Sequence, residues 1–135
     1  MTPFHARLLF FSAAIFNWLA VALLAPWFGL AEPFGLIAAG SSIYDHIALA
    51  VIFTFGCCYW MIALDLAGNR PLVLLGALLK LAVVAIIYGH ALRGDAPWNM
   101  AALVTVDLVY ALFFLSYLKT SAIARQQTST ANSGV

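Results

Sequence analysis

The sequence predicts an all-α protein, a transmembrane antiparallel four-helix bundle, from its composition and from the lengths of its apolar runs. Of its 135 residues, 65% are hydrophobic and 8% are charged, whereas a soluble domain is about 45–50% apolar and about 25% charged. The apolar residues fall into four runs, each close to the roughly 20 residues with which a helix crosses a bilayer core. Short connections join these runs, so we expect one membrane domain over residues 1–119.

The first predicted span covers residues 8–24 and ends before Pro26, since a proline cannot continue a helix. This run is longer than the apolar region of a secretory signal, about 7–15 residues, so it predicts a retained helix. The next residues, 26–42, are rich in proline and glycine and include Trp27 and Phe34. Aromatic side chains concentrate where a membrane meets water. We therefore expect an interfacial segment between helices 1 and 2.

Polar turns separate the three remaining spans. Ser42 and Asp45 have the spacing of a capping box, which predicts the start of a second span over residues 43–64. A third span is expected over residues 72–90 and a fourth over residues 98–118, each preceded by a turn that contains a proline.

The basic residues outside the spans predict the orientation of the bundle. Arg93 lies at one end, whereas the others lie at the end that carries both termini: Arg7, Arg70, Lys119 and Arg125. Loops rich in lysine and arginine stay in the cytoplasm, so we expect both termini to be cytoplasmic. Residues 120–135 are small and polar, a composition typical of disorder, and they predict a disordered C-terminal tail.

Two ionisable residues, Lys80 and Asp107, interrupt the third and fourth apolar runs. At about 1.5 Å per residue, Lys80 lies roughly 12 Å from the start of its span and Asp107 roughly 14 Å from the start of the next, near the middle of a bilayer. A charge at this depth costs at least about 2.5–3.5 kcal/mol. Helices joined by a short turn are neighbours, so we expect the two side chains to form an ion pair.

Two further polar residues are expected close to this pair. Asn17 lies near the middle of the first span, where its amide either joins a hydrogen-bond network with Lys80 and Asp107 or simply links two helices. Tyr110 lies three residues after Asp107 on the same helix face, so either its hydroxyl donates to the carboxylate or its ring packs. The candidate site for a ligand or a proton comprises Lys80, Asp107, Asn17 and Tyr110.

The predicted ion pair has two interpretations. A structural pair would fix which face of each helix turns inward, because pairing offsets the cost of two buried charges. A functional pair would anchor a ligand or relay protons, which is the default hypothesis for charges inside a membrane. The sequence leaves both interpretations open.

Other reactive residues do not form a recognisable catalytic or metal motif. The adjacent Cys57 and Cys58 lack Cys-x-x-Cys spacing and lie in an apolar run, where thiols are unreactive. Four potential metal ligands lack the spacing of a known site: Glu32, Asp45, His46 and His90. No phosphate loop, nucleophile motif, haem ligand pair or basic run is present, so we predict no cofactor, metal, catalytic residue or nucleic-acid partner.

Several short motifs resemble those of small four-helix bacterial membrane proteins of the broad DoxX-like type. These motifs are Asn17-Trp18, Asn69-Arg70-Pro71, Gly76-Ala77-x-x-Lys80-Leu81 and Asp107. The resemblance covers roughly residues 8–118. It implies a four-helix bundle in the bacterial inner membrane and assigns no catalytic residue.

The sequence therefore predicts a small binding or accessory subunit of the inner membrane, with the lipid bilayer as its surroundings. Its partner would be another membrane protein or further copies of the same chain. In this hypothesis the polar site binds a lipid or quinone-like ligand, or packs the helices together. The alternative is a small oligomeric proton-coupled transporter in which Lys80 and Asp107 exchange protons. An enzyme acting on a lipid-soluble substrate is the least favoured hypothesis.

Overall fold

The computed structural model describes residues 2–40 and 42–132, with side chains described as far as Ala122. Within these residues the chain forms four α-helices, each of which contains a stretch long and apolar enough to cross a bilayer. These four candidate spans indicate a multi-pass membrane protein. The helices are α1 (Pro3–Leu24), α2 (Ile43–Leu64), α3 (Arg70–Arg93) and α4 (Trp98–Asn132).

Local capping residues set where the helices begin, and some helices extend past their apolar runs. The bounds of α2 match the prediction, and Ser42 Oγ accepts a hydrogen bond from the backbone N–H of Asp45 at 3.2 Å. Helix α1 begins five residues before the predicted span, with Pro3 in its first turn and the Thr2 side chain as its N-cap. Proline suits the first turn because the N–H that it lacks would have no partner there.

Helix α4 continues beyond the predicted end of the fourth span. The sequence predicts a disordered tail from residue 120, but the backbone is helical to Asn132. No proline or glycine lies between Trp98 and Asn132, so nothing in the sequence terminates the helix where its hydrophobicity ends. Residues 133–135 lie outside the described residues.

The helices associate in two pairs, α1 with α2 and α3 with α4. In the first pair, the ring of Phe11 packs against Trp60 at 4.6 Å between centroids, and Trp18 packs against Phe53 at 6.3 Å. A later residue of α1 therefore meets an earlier residue of α2.

The second pair has the same opposite chain order. Arg70 at the start of α3 donates to the carbonyl of Leu118 in α4 at 3.2 Å. Near the other end, the hydroxyls of Tyr88 and Thr105 lie 2.8 Å apart. In the turn before α3, Asp65 accepts hydrogen bonds from the backbone N–H groups of Ala67 and Gly68.

The two pairs are joined by a core at one end of the bundle. Phe114 contacts Phe10 at 4.8 Å and Tyr59 at 5.1 Å between ring centroids, so it touches both helices of the first pair. We call this end the closed half. Its fully buried residues are Phe10, Ala13, Ala14, Tyr59, Ile62, Ala63, Val73, Ala77 and Phe114.

The segment between α1 and α2 is tied to the opposite end of the bundle. A short 3-10 helix spans Glu32–Phe34 and is closed by Gly35, whose φ of 63° lies in the left-handed region that favours glycine. The side chain of Asn99, at the start of α4, donates to the carbonyl of Phe34 at 2.9 Å. Whether this segment lies at a membrane interface stays a prediction.

Gly76 allows α3 to approach the buried ring of Tyr59. A Cβ at this position would lie 2.6 Å from Cε1 of Tyr59, so either α3 or the fully buried ring would have to shift. We expect Gly76→Ala to lower the free energy of unfolding by about 1–3 kcal/mol because of this overpacking. Thermal unfolding in detergent micelles measures the effect. Gly89→Ala on the same helix is the matched control, since its Cβ would meet no atom within 4 Å. Equal stability of the two variants would contradict the close approach.

Candidate functional site

Lys80 and Asp107 form a buried ion pair across the second helix pair, as the sequence predicts. The ammonium Nζ of Lys80 contacts Oδ1 of Asp107. The side chain of Lys80 is 4% exposed and that of Asp107 is 17% exposed, so the carboxylate retains some open space that the ammonium lacks. This difference matters because Asp107 lines a cavity inside the bundle.

Asn17 connects this pair to the first helix pair. The ammonium of Lys80 donates to Oδ1 of Asn17 at 3.1 Å, and Nδ2 of Asn17 donates to the carbonyl of Ile52 at 3.1 Å. Asn17 is only 7% exposed, so both ends of its amide have partners inside the bundle. The predicted network of Asn17, Lys80 and Asp107 is therefore present, and through Ile52 it includes all four helices.

Three aromatic rings surround the ammonium of Lys80. Its Nζ lies 5.7 Å from the ring centroid of Phe16, 5.2 Å from that of Tyr59 and 5.4 Å from that of Tyr110. Rings within about 6 Å attract a cation through their negative faces, by about 2 kcal/mol where the cation is desolvated. The positive charge is therefore stabilised on several sides in addition to the carboxylate.

Tyr110 lies at the site, but its hydrogen-bond partner is not the carboxylate that the sequence suggests. Its hydroxyl donates to Oγ of Ser12 at 3.1 Å and not to Asp107. The ring packs beside Phe16 and Phe114, at 5.7 and 6.2 Å between centroids, which directs the hydroxyl toward α1. The second of the two predicted possibilities, ring packing, is the one observed.

Tyr59 is a site residue that the candidate set from the sequence does not include. It is fully buried, its ring faces Lys80, and its hydroxyl donates to the carbonyl of Gly76 at 3.4 Å. The available signal was a tyrosine in the second span and a glycine in the third, since a small residue accommodates a large one on a facing helix.

A cavity of about 160 Å³ opens from the ion pair toward the end of the bundle opposite the closed half. We call it the inner cavity. Its floor is formed by Asn17, Tyr59, Lys80 and Asp107. Its far end is formed by Leu24, Ile87 and Met100, which lie seven positions along the helix from Asn17, Lys80 and Asp107, respectively. Seven helical residues correspond to about 10 Å. The inner cavity is therefore an apolar space about two helical turns long with a polar floor.

The floor of the inner cavity retains unused hydrogen-bonding capacity. The ammonium of Lys80 has three N–H donors, of which Asn17 and Asp107 take two. Oδ2 of Asp107 has no hydrogen-bond partner among the side chains and backbone of residues 2–40 and 42–122. Lys80 and Asp107 both line the inner cavity, so a molecule there would lie beside an ammonium and a carboxylate.

The other chemically reactive side chains do not line the inner cavity. His46 stacks on Trp27 at 5.8 Å between centroids, and His90 lies 3.5 Å from Asp95. Among the described residues, no group of three histidine, cysteine, aspartate or glutamate side chains comes together as a metal site. Cys57 and Cys58 are half-buried free thiols in α2.

The cost of burying Lys80 predicts unequal effects of a single and a double substitution. Asp107→Leu leaves the ammonium without its carboxylate and should lower stability by about 3–5 kcal/mol. The combined change Lys80→Met and Asp107→Leu removes both charges and leaves only Asn17 short of a partner, a loss of about 1 kcal/mol. Unfolding in detergent compares the two variants. A double variant less stable than the single one would refute the pairing energetics.

Comparisons with known proteins contribute no relative to this geometry. No family model, curated protein or solved structure matches the chain. The resemblance to DoxX-like proteins therefore stays a prediction from the sequence.

Proposed function

We propose that this chain is a small binding or accessory subunit of the inner membrane, and that its inner cavity holds a lipid or quinone-like molecule. The polar group of that molecule would contact Lys80 and Asp107. The observation that carries the proposal is that the buried ion pair opens into an apolar cavity. The absence of a recognisable nucleophile or metal motif in the sequence favours binding over catalysis.

The volume of the inner cavity argues against a purely structural role for the ion pair. A pair that serves only to orient helices is best surrounded by close packing, as protein interiors are. A cavity of about 160 Å³ beside the ion pair departs from such packing. A ligand seated in the cavity would contact its walls, so ligand binding accounts for both features.

The closed half of the bundle argues against the transporter alternative. A transporter needs access to its ion site from both membrane faces, with each side open in turn. On one side of Lys80 lies the inner cavity, but on the other lie the buried rings of Phe10, Tyr59 and Phe114. Access through the closed half would require these rings to separate. One-sided access suits a molecule that enters and leaves by the same route.

The arrangement in the membrane follows from the helix contacts and the basic residues. Opposite chain order in both helix pairs supports an antiparallel bundle with both termini on one side. The excess of basic residues at that side favours the cytoplasm. The closed half then lies toward the cytoplasm, and the inner cavity lies in the outer leaflet.

Cysteine labelling tests this orientation. In a chain with Cys57 and Cys58 replaced by alanine, we expect Asp95→Cys to react with a membrane-impermeant maleimide in right-side-out vesicles, because this turn is exposed. His5→Cys, at the exposed N-terminal end of α1, should react only after the membrane is permeabilised. The reverse pattern of labelling would show that the inner cavity faces the cytoplasmic leaflet.

Filling the inner cavity tests the proposed binding. Val83 lines the cavity, and Val83→Phe should weaken binding of tetramethyl-para-benzoquinone by about tenfold or more, because the added ring occupies the space. Isothermal titration of the protein in lipid nanodiscs, corrected with empty nanodiscs, measures the affinity. Ile86→Phe is the matched control, since Ile86 lies on the same helix and is 58% exposed. Equal binding by both variants, or no binding by the original chain, would count against the proposal.

A further inference from the structure

A shallow groove between α1 and α4 lies next to the inner cavity. It has a volume of about 300 Å³ and is lined by Leu23, Phe34, Leu36, Asn99, Ala102 and Leu103. Leu103 also lines the inner cavity, so the two spaces are adjacent at this side chain. Apart from the amide of Asn99, which is bonded to the Phe34 carbonyl, the side chains that line the groove are apolar.

The floor of the inner cavity is suited to an uncharged polar group. The positive charge of Lys80 is balanced by Asp107, so the floor carries no net charge. A phosphate would be attracted by the ammonium and repelled by the adjacent carboxylate, and an unpaired anion would be buried at high cost. A carbonyl oxygen can accept a hydrogen bond from the third N–H of Lys80, and a hydroxyl can donate one to Oδ2 of Asp107. These are hydrogen bonds to charged groups, the stronger class.

The size of the inner cavity limits what it can enclose. Its volume of about 160 Å³ is close to the roughly 150 Å³ of an engineered apolar cavity that binds benzene. One six-membered ring therefore fits, but a long chain attached to that ring does not. A chain must leave the cavity, and the adjacent apolar space is the groove beyond Leu103.

We infer that the ligand is a neutral ring bearing a carbonyl or hydroxyl group with an apolar chain, the ring in the inner cavity and the chain in the α1–α4 groove. This inference rests on the proposed function and specifies the ligand class of the same site. The segment above the groove is held by the hydrogen bond from Asn99 to the Phe34 carbonyl. The apolar chain of the ligand therefore passes sideways into lipid beneath this segment.

Two probes with the same ring separate the ring site from the chain site. One is tetramethyl-para-benzoquinone, and the other carries a decyl chain in place of one methyl group. Ala102→Trp fills the groove, and Ala85→Trp places the same residue at an exposed position of α3 outside it. Binding of each probe to the full chain in nanodiscs is measured by titration. Thermal unfolding first checks that both variants are folded, and Leu23→Trp, on the opposite wall of the groove, replaces Ala102→Trp if that variant is not.

We expect Ala102→Trp to weaken binding of the decyl probe by about tenfold, because the chain loses its buried surface. Binding of the chainless probe should change by less than about twofold, and Ala85→Trp should leave both affinities within about twofold. If the original protein binds both probes and Ala102→Trp does not weaken binding of the decyl probe, the groove does not hold the apolar chain of the ligand. The proposed function would remain intact. Equal weakening of both probes would also overturn the chain site, since the groove would then not be specific to the chain.

The uncharged character of the ligand has its own test. Nanodiscs made with phosphatidylglycerol supply an anionic headgroup, whereas nanodiscs of phosphatidylcholine do not. We expect the chainless probe to bind with the same affinity in both. Weaker binding in phosphatidylglycerol would show that an anionic lipid competes for the floor and would overturn the neutral ligand. No binding of either probe in either lipid would refute the proposed function itself.

Discussion

The buried ammonium of Lys80 is the constraint on which the arrangement of this bundle depends. Inside a membrane there is little hydrophobic force between helices, because lipid chains are as apolar as the side chains. A charge at mid-depth is different, since it must be compensated within the protein. Asp107 compensates it from α4 and Asn17 from α1, and the Asn17 amide is itself held by the Ile52 carbonyl of α2. One cation thus fixes the rotation and depth of several helices at once.

The difference between the two halves of the bundle follows from the sizes of facing side chains. In the closed half, the rings of Phe10, Tyr59 and Phe114 interlock with small neighbours such as Ala13 and Ala77, and all are fully buried. Large and small residues that alternate in this way fill space efficiently. Beyond the ion pair, the rings give way to smaller facing residues, among them Ala20, Val83 and Val104. Small residues that face other small residues leave a void, and this void is the inner cavity.

The sequence predicts the spans well because hydrophobic length and turn chemistry are local properties. Helix α2 has the predicted bounds because Ser42 caps its start and Asp65 ends it. Helices α1 and α4 are longer than their spans, since a helix can continue through polar residues where no proline or glycine interrupts it. Hydropathy predicts which part of a helix suits the membrane, but it does not predict where the helix itself ends.

The polar site was predictable in part for the same reason. The depths of Lys80 and Asp107 follow from counting residues along adjacent helices, and the two are the only lysine, arginine, aspartate or glutamate residues near the middle of the described spans. The hydrogen bond of Tyr110 to Ser12 was not predictable, because it depends on ring packing between helices far apart in sequence. The inner cavity was not predictable either. A void is a property of facing side chains, and a single sequence does not specify which faces meet.

The same geometry that stabilises the cation also restricts what the site can do. Lys80 is held by a carboxylate, an amide and three rings, so moving the ammonium would break several favourable contacts together. A side chain held in this way is poorly suited to swing between two faces of a membrane, but it is well suited to present one N–H donor in a fixed direction. Lys80 and Asp107 both line the inner cavity, and the side chain of Asp107 is the more exposed of the two. An ammonium beside a carboxylate, at the end of an apolar cavity, is the geometry on which the proposed binding of a molecule in one orientation rests.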